Sequence, residues 1–570
     1  MPSTLDLRMD VITAKLTGAG GPMAIGMVEQ DGRMLPVITT APPSLPDYFA
    51  HFCAQHADTE FLVAGDERLT FAETYARARD VAAALIACHG VESGDHVGIA
   101  ARNAPAWIVL YMGILMAGGV ATLFNGWWQG GELVNGIVDS GAKLVFADPP
   151  RAHRIIDADQ RHHSNIMVID VALPIDEALA PIFAQGRGDG TQLPVMHGED
   201  DATILFTSGS TGRSKGAIST HRAVVQATLN FLCQTLMALE LLTEEGNAPK
   251  LRPATLLNVP LFHVTAEVPV FLQSFAMGRK LVLMDKWDAE EAMRLTEKEK
   301  ITYFVGVPLM SFELLTHPNR SRYDLTSLAD LAAGGAPRPV EHVRRLHDEM
   351  NGAKPLIGYG LTETNAIGCA NFRENYLAKP NSTGRACPPL VDLAIMDEAG
   401  RPVPQDEFGE ICIRSIANFR AYWNDPEATA AAFTPDGYFR TGDIGYLDED
   451  DYLFIVDRKK DIIIRGGENI SCQEVEAAIY EHPAVTEAAV FGLNDERFGE
   501  VPGAVIVLAE NKNVTPEVLR EFLAIRLAAF KLPARIWLSS TPLPRLGTEK
   551  IDKLALREKY GALVELEAAG

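Results

Sequence analysis

The sequence is short of positive charge. Its 570 residues include 51 lysines and arginines against 75 aspartates and glutamates, which gives a formal net charge of −24. Nucleic acids and anionic lipid surfaces attract proteins largely through surplus Lys and Arg. The composition therefore argues against a nucleic-acid partner, although it leaves room for local basic sites that hold a small anion.

Cysteine is also scarce, and its spacing carries no metal motif. The seven cysteines are scattered along the chain without a C-x-x-C pair, which argues against a cysteine-based zinc site. The N-terminus lacks the basic-then-apolar pattern of a secretory signal. We therefore expect a protein of a reducing compartment, the cytoplasm.

One long uncharged run raises the question of a membrane. The segment 106–124 carries no charged residue and approaches the ~20 residues that a membrane-spanning helix needs. Gly118 and Gly119 interrupt it, so the pattern predicts a helix that ends near Ala117 and a buried strand that begins at Val120. The sequence thus predicts no integral membrane span.

Helix and strand patterns alternate through most of the chain. A helical pattern over 71–86 is followed by short apolar runs such as 97–101 and 120–123, which is typical of a layered α/β domain. We assign this large domain to residues 45–457. Residues 1–44 are interrupted by Gly and Pro and are treated as an N-terminal extension, packed on the main body or loosely tethered to it.

The pattern changes in the last part of the chain. Ser471 and Thr515 are predicted N-caps of two helices, of which the second runs to about Phe530, with two strands between them. Residues 458–570 are therefore predicted to form a small α+β domain.

The segment 207–216, Thr-Ser-Gly-Ser-Thr-Gly-Arg-Ser-Lys-Gly, follows a predicted buried strand at 202–206. Its glycines allow backbone N–H groups to converge on an anion, its hydroxyl groups add donors, and Arg213 and Lys215 add positive charge. This composition predicts a phosphate-binding loop. The loop residues that we expect to bind are Thr207, Ser208, Gly209, Ser210, Thr211, Gly212 and Lys215.

Two other motifs overlap this loop. A Walker A loop would have glycine at position 214 and Ser or Thr at 216, where this chain has Ser214 and Gly216. Residues 212–216 match the G-x-S-x-G of serine hydrolases, with Ser214 as nucleophile, but residues 207–213 separate that serine from the strand. A serine hydrolase stays the alternative from a different enzyme class.

Five further segments follow the loop in one order, and a late lysine follows them. They are Pro260-Leu-Phe-His263, Gly334-Gly-Ala-Pro337, Tyr359-Gly-Leu-Thr-Glu363, Thr441-Gly-Asp443 and Asp457-Arg-Lys-Lys-Asp461, and the lysine is Lys550. The series resembles the adenylate-forming superfamily, and within it the acyl-CoA synthetases and fatty-acid–CoA ligases. The resemblance runs from about residue 45 to the end.

The resemblance implies a large α/β N-terminal domain of layered sheets and helices that binds ATP, and a small, mobile α+β C-terminal domain. It also implies Mg²⁺, held by Glu363 and Thr207, and CoA. Beyond the loop, the ATP-binding residues that it implies are Gly334, Gly335, Ala336, Tyr359, Gly360, Thr362, Glu363, Asp443, Arg458 and Lys550.

The residues expected to act in the reaction itself are Thr207, Lys215, His263, Glu363 and Lys550. Lys550 would contact both the substrate carboxylate and the α-phosphate and stabilise the charge that moves between them. The chain departs from the family pattern at Glu549, where glycine usually precedes this lysine. By the same resemblance, His263 gates the thiol tunnel. The hinge between the domains is Lys460, and the CoA tunnel passes Gly466, Gly467 and Glu468.

The acyl pocket is predicted to be roomy and apolar. Its expected residues are His263, Val264, Phe304, Gly306, Gly334 and Gly358, whose glycines leave space that side chains would otherwise fill. Each buried methylene adds about 0.8 kcal/mol, so a long chain could bind strongly, and a bulky ring would suit the same residues. Short acids suit this pocket less well.

The resulting hypothesis is an ATP-dependent acid–CoA ligase for a medium- or long-chain fatty acid or another bulky apolar carboxylate. The nearest alternative is an adenylate-forming enzyme that passes the acyl group to an amine or a carrier protein. The sequence leaves the oligomeric state open, a homodimer included.

Overall fold

The computed structural model describes residues 2–159, 165–207, 214–336, 338–350, 352–459, 461–465, 468–495, 497–509, 512–545 and 551–569. As far as residue 207 the elements are α1 (Thr4–Thr17), β1 (Ile25–Gln30), β2 (Arg33–Ile38), α2 (Leu45–Gln55), β3 (Glu60–Ala64), β4 (Glu67–Thr70), α3 (Phe71–His89), β5 (His96–Ala100), α4 (Pro105–Met116), β6 (Val120–Leu123), α5 (Gly130–Ser140), β7 (Leu144–Ala147), α6 (Pro149–Ala158), β8 (Ile166–Val168), α7 (Ile175–Ala178) and β9 (Asp201–Phe206).

The next part of the chain reaches residue 459. Its elements are β10 (Gly216–Thr220), α8 (His221–Glu244), β11 (Ala254–Leu257), α9 (Val264–Ala266), α10 (Gln273–Met277), β12 (Lys280–Leu283), α11 (Ala289–Glu299), β13 (Tyr303–Gly306), α12 (Pro308–Thr316), β14 (Asp330–Ala333), α13 (Val340–Glu349), β15 (Lys354–Gly360), β16 (Gly368–Phe372), α14 (Arg373–Ala378), β17 (Arg385–Ala386), β18 (Asp392–Met396), β19 (Gly409–Arg414), β20 (Ala421–Tyr422), α15 (Pro426–Ala432), β21 (Phe439–Leu447) and β22 (Leu453–Arg458).

The last part is smaller and mixes helices with mainly antiparallel strands. Its elements are β23 (Ile463–Arg465), β24 (Glu468–Ile470), α16 (Cys472–Tyr480), β25 (Val485–Asp495), β26 (Gly499–Leu508), α17 (Pro516–Ala524), β27 (Arg535–Ser539) and α18 (Lys553–Ala569).

Two large sheets form the main body. One has nine strands in the order β17-β16-β15-β14-β13-β11-β12-β3-β4, and the other has seven in the order β20-β10-β9-β6-β5-β7-β8. In the larger sheet, neighbouring strands from β15 to β3 run parallel, so their carboxyl ends meet at one edge. A four-stranded sheet, β18-β19-β21-β22, precedes the C-terminal sheet of five strands. The predicted α/β body with a smaller α+β C-terminal domain is confirmed.

Residues 106–124 form the helix and the strand that the sequence predicts. α4 ends at Met116, β6 begins at Val120, and the chain turns between them at Gly118, whose φ of 84° favours glycine. Within the described ranges, only α8 is long and apolar enough to cross a bilayer by length and composition. Of its most apolar window, 56% is buried inside the protein, as in the core helices of globular folds.

Helix α17 is shorter than the sequence predicts. It begins after the Thr515 cap as expected but ends at Ala524 rather than near Phe530. Beyond it, the N–H groups of Arg526 and Leu527 both donate to the Leu523 carbonyl, which closes a turn. The turn brings Leu527 and Phe530 onto the C-terminal hydrophobic core. Packing therefore decides the end of this helix, because continued helix would carry both side chains elsewhere.

All seven cysteines are free thiols, and six of them are buried. Burial raises the pKa of Cys233 to about 11 and that of Cys53, Cys387 and Cys412 to about 12. Cys88 is the one thiol with intermediate exposure.

Residues 1–44 pack on the main body. Helix α1 begins with a capping box, in which the Ser3 and Asp6 side chains each accept a hydrogen bond from the other residue's backbone N–H. Its buried apolar side chains join a cluster with Met237 and Leu241 of α8. The later strand β2 is held by Gln226, whose amide bonds both the N–H and the carbonyl of Ile38.

Asp6 ties helix α1 to two distant parts of the chain. Its carboxylate is 1% exposed and accepts hydrogen bonds from Asn375 Nδ2 at 3.0 Å and from the Tyr452 hydroxyl at 2.9 Å. Arg385 Nη1 lies 3.5 Å away. A buried carboxylate is tolerated only when its oxygens are bonded, so these partners fix the position of the helix.

Replacing Tyr452 by phenylalanine removes one donor from this buried carboxylate. We expect the free energy of unfolding to fall by about 1–3 kcal/mol, measured by denaturant titration. Tyr438→Phe is the matched control, because its hydroxyl also donates to a carboxylate, Asp392 at 2.8 Å, but that carboxylate is 47% exposed. The control should lose at most about 0.5 kcal/mol. Equal losses in the two variants would contradict the role given to Asp6.

Candidate active site

A cavity of about 1330 Å³ opens at the carboxyl ends of the parallel strands in the nine-stranded sheet. Its lining includes Gly306, Gly334 and Gly360, which stand at or just beyond the ends of β13, β14 and β15. Ligands of open α/β sheets bind at this edge. The four-stranded sheet and the C-terminal domain complete the wall, with Arg458 and Arg545 among its residues.

The structure brings many of the predicted site residues to this cavity. Those that line it are Thr207, Lys215, His263, Val264, Gly306, Gly334, Gly335, Gly360, Thr362, Glu363 and Arg458. Those described outside its lining are Phe304, Ala336, Gly358, Tyr359, Asp443 and Glu468. Ser208, Gly209, Ser210, Thr211, Gly212, Lys460, Gly466, Gly467 and Lys550 lie outside the described residues.

The predicted phosphate-binding loop joins two antiparallel strands. β9 ends at Phe206, which pairs with Gly216 of β10, and Thr207 N–H donates to the Lys215 carbonyl at 2.9 Å. Ser214 therefore leads into a strand. A hydrolase nucleophile stands on a turn between a strand and a helix, so this geometry does not favour Ser214 as a nucleophile.

Glu363 and Lys215 both contact the side chain of Tyr422. The Tyr422 hydroxyl donates to Glu363 Oε1 at 2.7 Å, and Lys215 Nζ lies 4.9 Å from the centre of the Tyr422 ring. Lys215 Nζ is also 3.6 Å from Asp425 Oδ2. Burial raises the pKa of Glu363, while the bond from Tyr422 opposes that shift. A cation and a carboxylate are thereby held on one cavity wall by a single aromatic side chain.

The residues at this wall fit a magnesium ion that arrives with a nucleotide. Mg²⁺ prefers oxygen ligands and commonly takes one or two carboxylates together with substrate phosphates. Glu363 supplies a carboxylate that is 8% exposed, and Thr207 supplies a hydroxyl on the same cavity. Among the described residues there is no group of three or more His, Cys, Asp or Glu side chains that could hold a metal ion.

Asp443 and Arg458 are cross-strand partners in β21 and β22. Arg458 Nε lies 3.2 Å from Asp443 Oδ1, and the Tyr359 hydroxyl donates to Asp443 Oδ2 at 2.7 Å. Tyr359, which the resemblance implies in ATP binding, packs its half-buried ring against a cluster that includes Leu453 and Ile395, and its hydroxyl holds Asp443. Each carboxylate oxygen of Asp443 can still accept a second bond.

Glycines at the strand ends form part of the floor of the cavity. A Cβ at Gly306 would lie 2.9 Å from Met310 Sδ, so any side chain there would displace the neighbour. Phe304 does not line this pocket as expected. It shares a strand face with Gly306 but lies two residues further from the strand end, where its side chain is fully buried in the hydrophobic cluster with Met293. Gly358 lies on β15, where an added Cβ would be 3.9 Å from the Cys369 carbonyl.

Glu410 is a cavity residue that the sequence analysis missed. Its carboxylate lies 3.0 Å from Arg440 Nη1 and 3.8 Å from Lys459 Nζ, and it accepts a bond from Gly442 N–H at 3.2 Å. It thus fixes the turn before Asp443 and the residue before the predicted hinge. No local motif marks Glu410, since its partners come from β21 and from Lys459, just after β22.

The C-terminal domain reaches the cavity through Pro542 and Arg545. Arg545 forms an ion pair with Glu487, which also accepts the Leu543 N–H at 2.7 Å. Arg545 pairs with Ile551 in an antiparallel bridge. The described chain therefore flanks residues 546–550 on both sides with anchored backbone.

His263 lines the cavity among aromatic rings. Its ring centre is 4.6 Å from that of Phe262 and 6.0 Å from that of Trp127, which also lines the cavity. Glu468, expected in the CoA tunnel, lies in the short strand β24 opposite Arg465.

Comparison with known proteins agrees with this arrangement. A sequence model of the AMP-binding enzyme family matches residues 49–423, and a model of the AMP-binding enzyme C-terminal domain matches residues 474–550.

The relatives cover nearly the whole chain. A long-chain-fatty-acid–CoA ligase of Bacillus subtilis (strain 168) is 33% identical over 524 residues, covering 86% of this chain and 90% of that enzyme. A feruloyl-CoA synthase of an Amycolatopsis species is 33% identical over 498 residues, with 87% and 95% covered. The structure of ATP-bound MatB from Rhodopseudomonas palustris has a TM-score of 0.80 at 27% identity and covers 91% of this chain and 99% of that one. The protein therefore belongs to the AMP-binding enzyme family, among the acyl-CoA synthetases of the adenylate-forming superfamily.

Proposed function

We propose that this protein activates a medium- or long-chain fatty acid, or another bulky apolar carboxylic acid, as its acyl-adenylate and transfers the acyl group to CoA. One observation carries the proposal. The same cavity joins the Glu363–Lys215 wall, suited to phosphates and Mg²⁺, to a glycine floor flanked by Val307, Leu309 and Met310. The reacting carboxylate would lie where the two parts meet.

In the first half-reaction a carboxylate oxygen attacks the α-phosphorus of ATP, and the bond to pyrophosphate breaks. The product is a mixed anhydride with AMP. Such chemistry depends on positioning and on compensation of phosphate charge. Lys215, with the loop that precedes it, would hold the phosphates. Mg²⁺ bound by Glu363 and Thr207 would neutralise charge on their oxygens, and Asp443 with Arg458 would bind the ribose.

In the second half-reaction the CoA sulfur attacks the acyl carbon, AMP leaves, and the thiol loses its proton. CoA would approach past His263, beside Trp127. Lys460, Gly466 and Gly467 belong to the expected hinge and tunnel, and we propose that the C-terminal domain turns there between the two steps. We also propose a cytoplasmic location, in keeping with seven free thiols.

The names of two relatives indicate which class of carboxylic acid to expect as substrate. One acts on long-chain fatty acids and one on the aromatic acid ferulate, at the same 33% identity to this chain. Both kinds of acid present a large apolar body behind a carboxylate. We therefore propose a bulky apolar acid rather than a short one.

The proposed function is tested by pyrophosphate release from ATP with a panel of carboxylic acids, each assayed with and without CoA. We expect release to depend on the acid and on Mg²⁺, and a CoA thioester with equimolar AMP to form when CoA is present. Acid-dependent pyrophosphate release without any thioester would instead favour an amine or carrier-protein acceptor. ATP-independent ester hydrolysis would contradict the whole assignment.

Lys550→Ala should separate the two half-reactions. The lysine would stabilise charge on the carboxylate and the α-phosphate only during adenylation, so we expect adenylation to fall by about 10²-fold or more. Transfer of the acyl group from a supplied acyl-adenylate to CoA should be largely retained, as measured in single turnovers. Equal loss in both half-reactions would contradict this role.

Gly306→Trp should shorten the accepted acid. An indole at this strand end would fill the slot beside Met310, which an added Cβ already approaches to 2.9 Å. We expect kcat/KM for long acids to fall by about 10–100-fold, while short acids and ATP binding are retained. Melting temperature, measured beside the chain-length series, reports folding. A folded variant with an unchanged chain-length profile would show that Gly306 does not border the acyl group.

A further inference from the structure

The floor of the acyl slot contains one polar side chain. Four neighbouring parallel strands, β14, β13, β11 and β12, end at or just before Gly334, Gly306, Asn258 and Met284, and all four residues line the cavity. Two of them have no side chain and one has a thioether. Asn258 therefore stands inside an otherwise apolar row, where its buried carboxamide needs a hydrogen-bond partner.

The carboxamide of Asn258 has few hydrogen-bond partners among the described residues. Asn258 is 8% exposed, and its Nδ2 lies 3.2 Å from the sulfur of Met310, which is a weak acceptor. Its Oδ1 has no hydrogen-bond partner among the described residues. Buried polar atoms without a partner are rare in folded proteins because they lose their bonds to water. A slot for hydrocarbon alone would be more stable with leucine at this position.

Asn258 also lines the cavity beside Gly306. Its Nδ2 is 3.3 Å from the point where a Cβ at position 306 would lie, so the carboxamide and the Gly306 backbone are neighbours on one wall. A substrate that rests on this wall would pass close to the carboxamide. Two other polar side chains of the cavity lining bond each other, since Trp287 Nε1 donates to Glu313 Oε2 at 2.5 Å.

We propose that Asn258 selects acids that carry a hydroxyl or carbonyl oxygen on the chain or ring, in preference to the plain hydrocarbon acid of the same size. This inference rests on the proposed acid–CoA ligase function and narrows its substrate class. A carboxamide has both donors and an acceptor, so it can bond a hydroxyl group in either direction. A site with a buried polar partner discriminates strongly against an analogue that lacks the matching group.

The test compares kcat/KM for matched acids that differ by one oxygen function. Suitable pairs are saturated fatty acids with their mid-chain hydroxy, mid-chain oxo and terminal hydroxy derivatives, and cinnamic acid with its para-hydroxy derivative. We expect the wild-type enzyme to prefer the oxygenated member of at least one pair by about tenfold or more. Asn258→Leu should abolish that preference by lowering kcat/KM for the oxygenated acid and leaving the plain acid as active or more active.

Met310→Leu is the matched control, because it changes the same wall without removing a carboxamide, and it should keep the wild-type preference. If Asn258→Leu does not fold, Asn258→Ala removes the same group from a smaller volume. A wild-type enzyme without any preference in the panel, or a preference that survives in the Asn258 variant, would overturn the inference while thioester formation still supports the ligase. Absence of thioester with every acid would overturn both.

Discussion

Parallel strands in one sheet end at one edge, and the candidate active site depends on that constraint. The ends of β11 to β15 bring residues from five separate segments, between Asn258 and Gly360, to a single row. Three of these ends carry glycine, and at Gly306 and Gly360 neighbouring atoms lie too close for an added Cβ. The floor of the cavity is therefore backbone of the hydrogen-bonded sheet, and a ligand that rests on it contacts a surface with little freedom to move.

Carboxylates hold the remaining walls in place. Tyr422 joins Glu363 to the seven-stranded sheet, and Asp443 is held between Arg458 and Tyr359. Glu410 forms ion pairs with Arg440 and Lys459 and accepts a hydrogen bond from the Gly442 N–H. Each is less than a tenth exposed, so breaking one bond would leave a buried charge with fewer partners. These acidic groups also connect the parts of the site, since Asp443 and Glu410 pair with Arg458 and Lys459, the two residues that directly precede the predicted hinge.

Much of the fold could be predicted from the sequence, because strand and helix patterns, glycine breaks and N-caps are local signals. The strand before the phosphate loop, the division of residues 106–124 and the caps at Ser471 and Thr515 all depend on such signals. Phe304 was assigned to the pocket because it is apolar and close to Gly306 in sequence, but the sequence does not show that it lies deeper along the strand, covered by the cluster with Met293. Tyr422 and Glu410 were missed because their contacts join residues far apart in sequence. Asn258 was missed because its only signal is a buried carboxamide oxygen without a hydrogen-bond partner among the described residues, which only the structure can show.

The distribution of thiols has a practical consequence for following domain motion. Six cysteines are buried, so a maleimide dye added to the folded protein should react first at Cys88. With that residue changed to serine, new cysteines at Val195 on the main body and Ile525 on the C-terminal domain, which are 78% and 82% exposed, would each take one label. Energy transfer between the two dyes would then report the distance between the two labelled positions in single molecules, and would show whether the C-terminal domain makes the proposed turn between the two chemical steps.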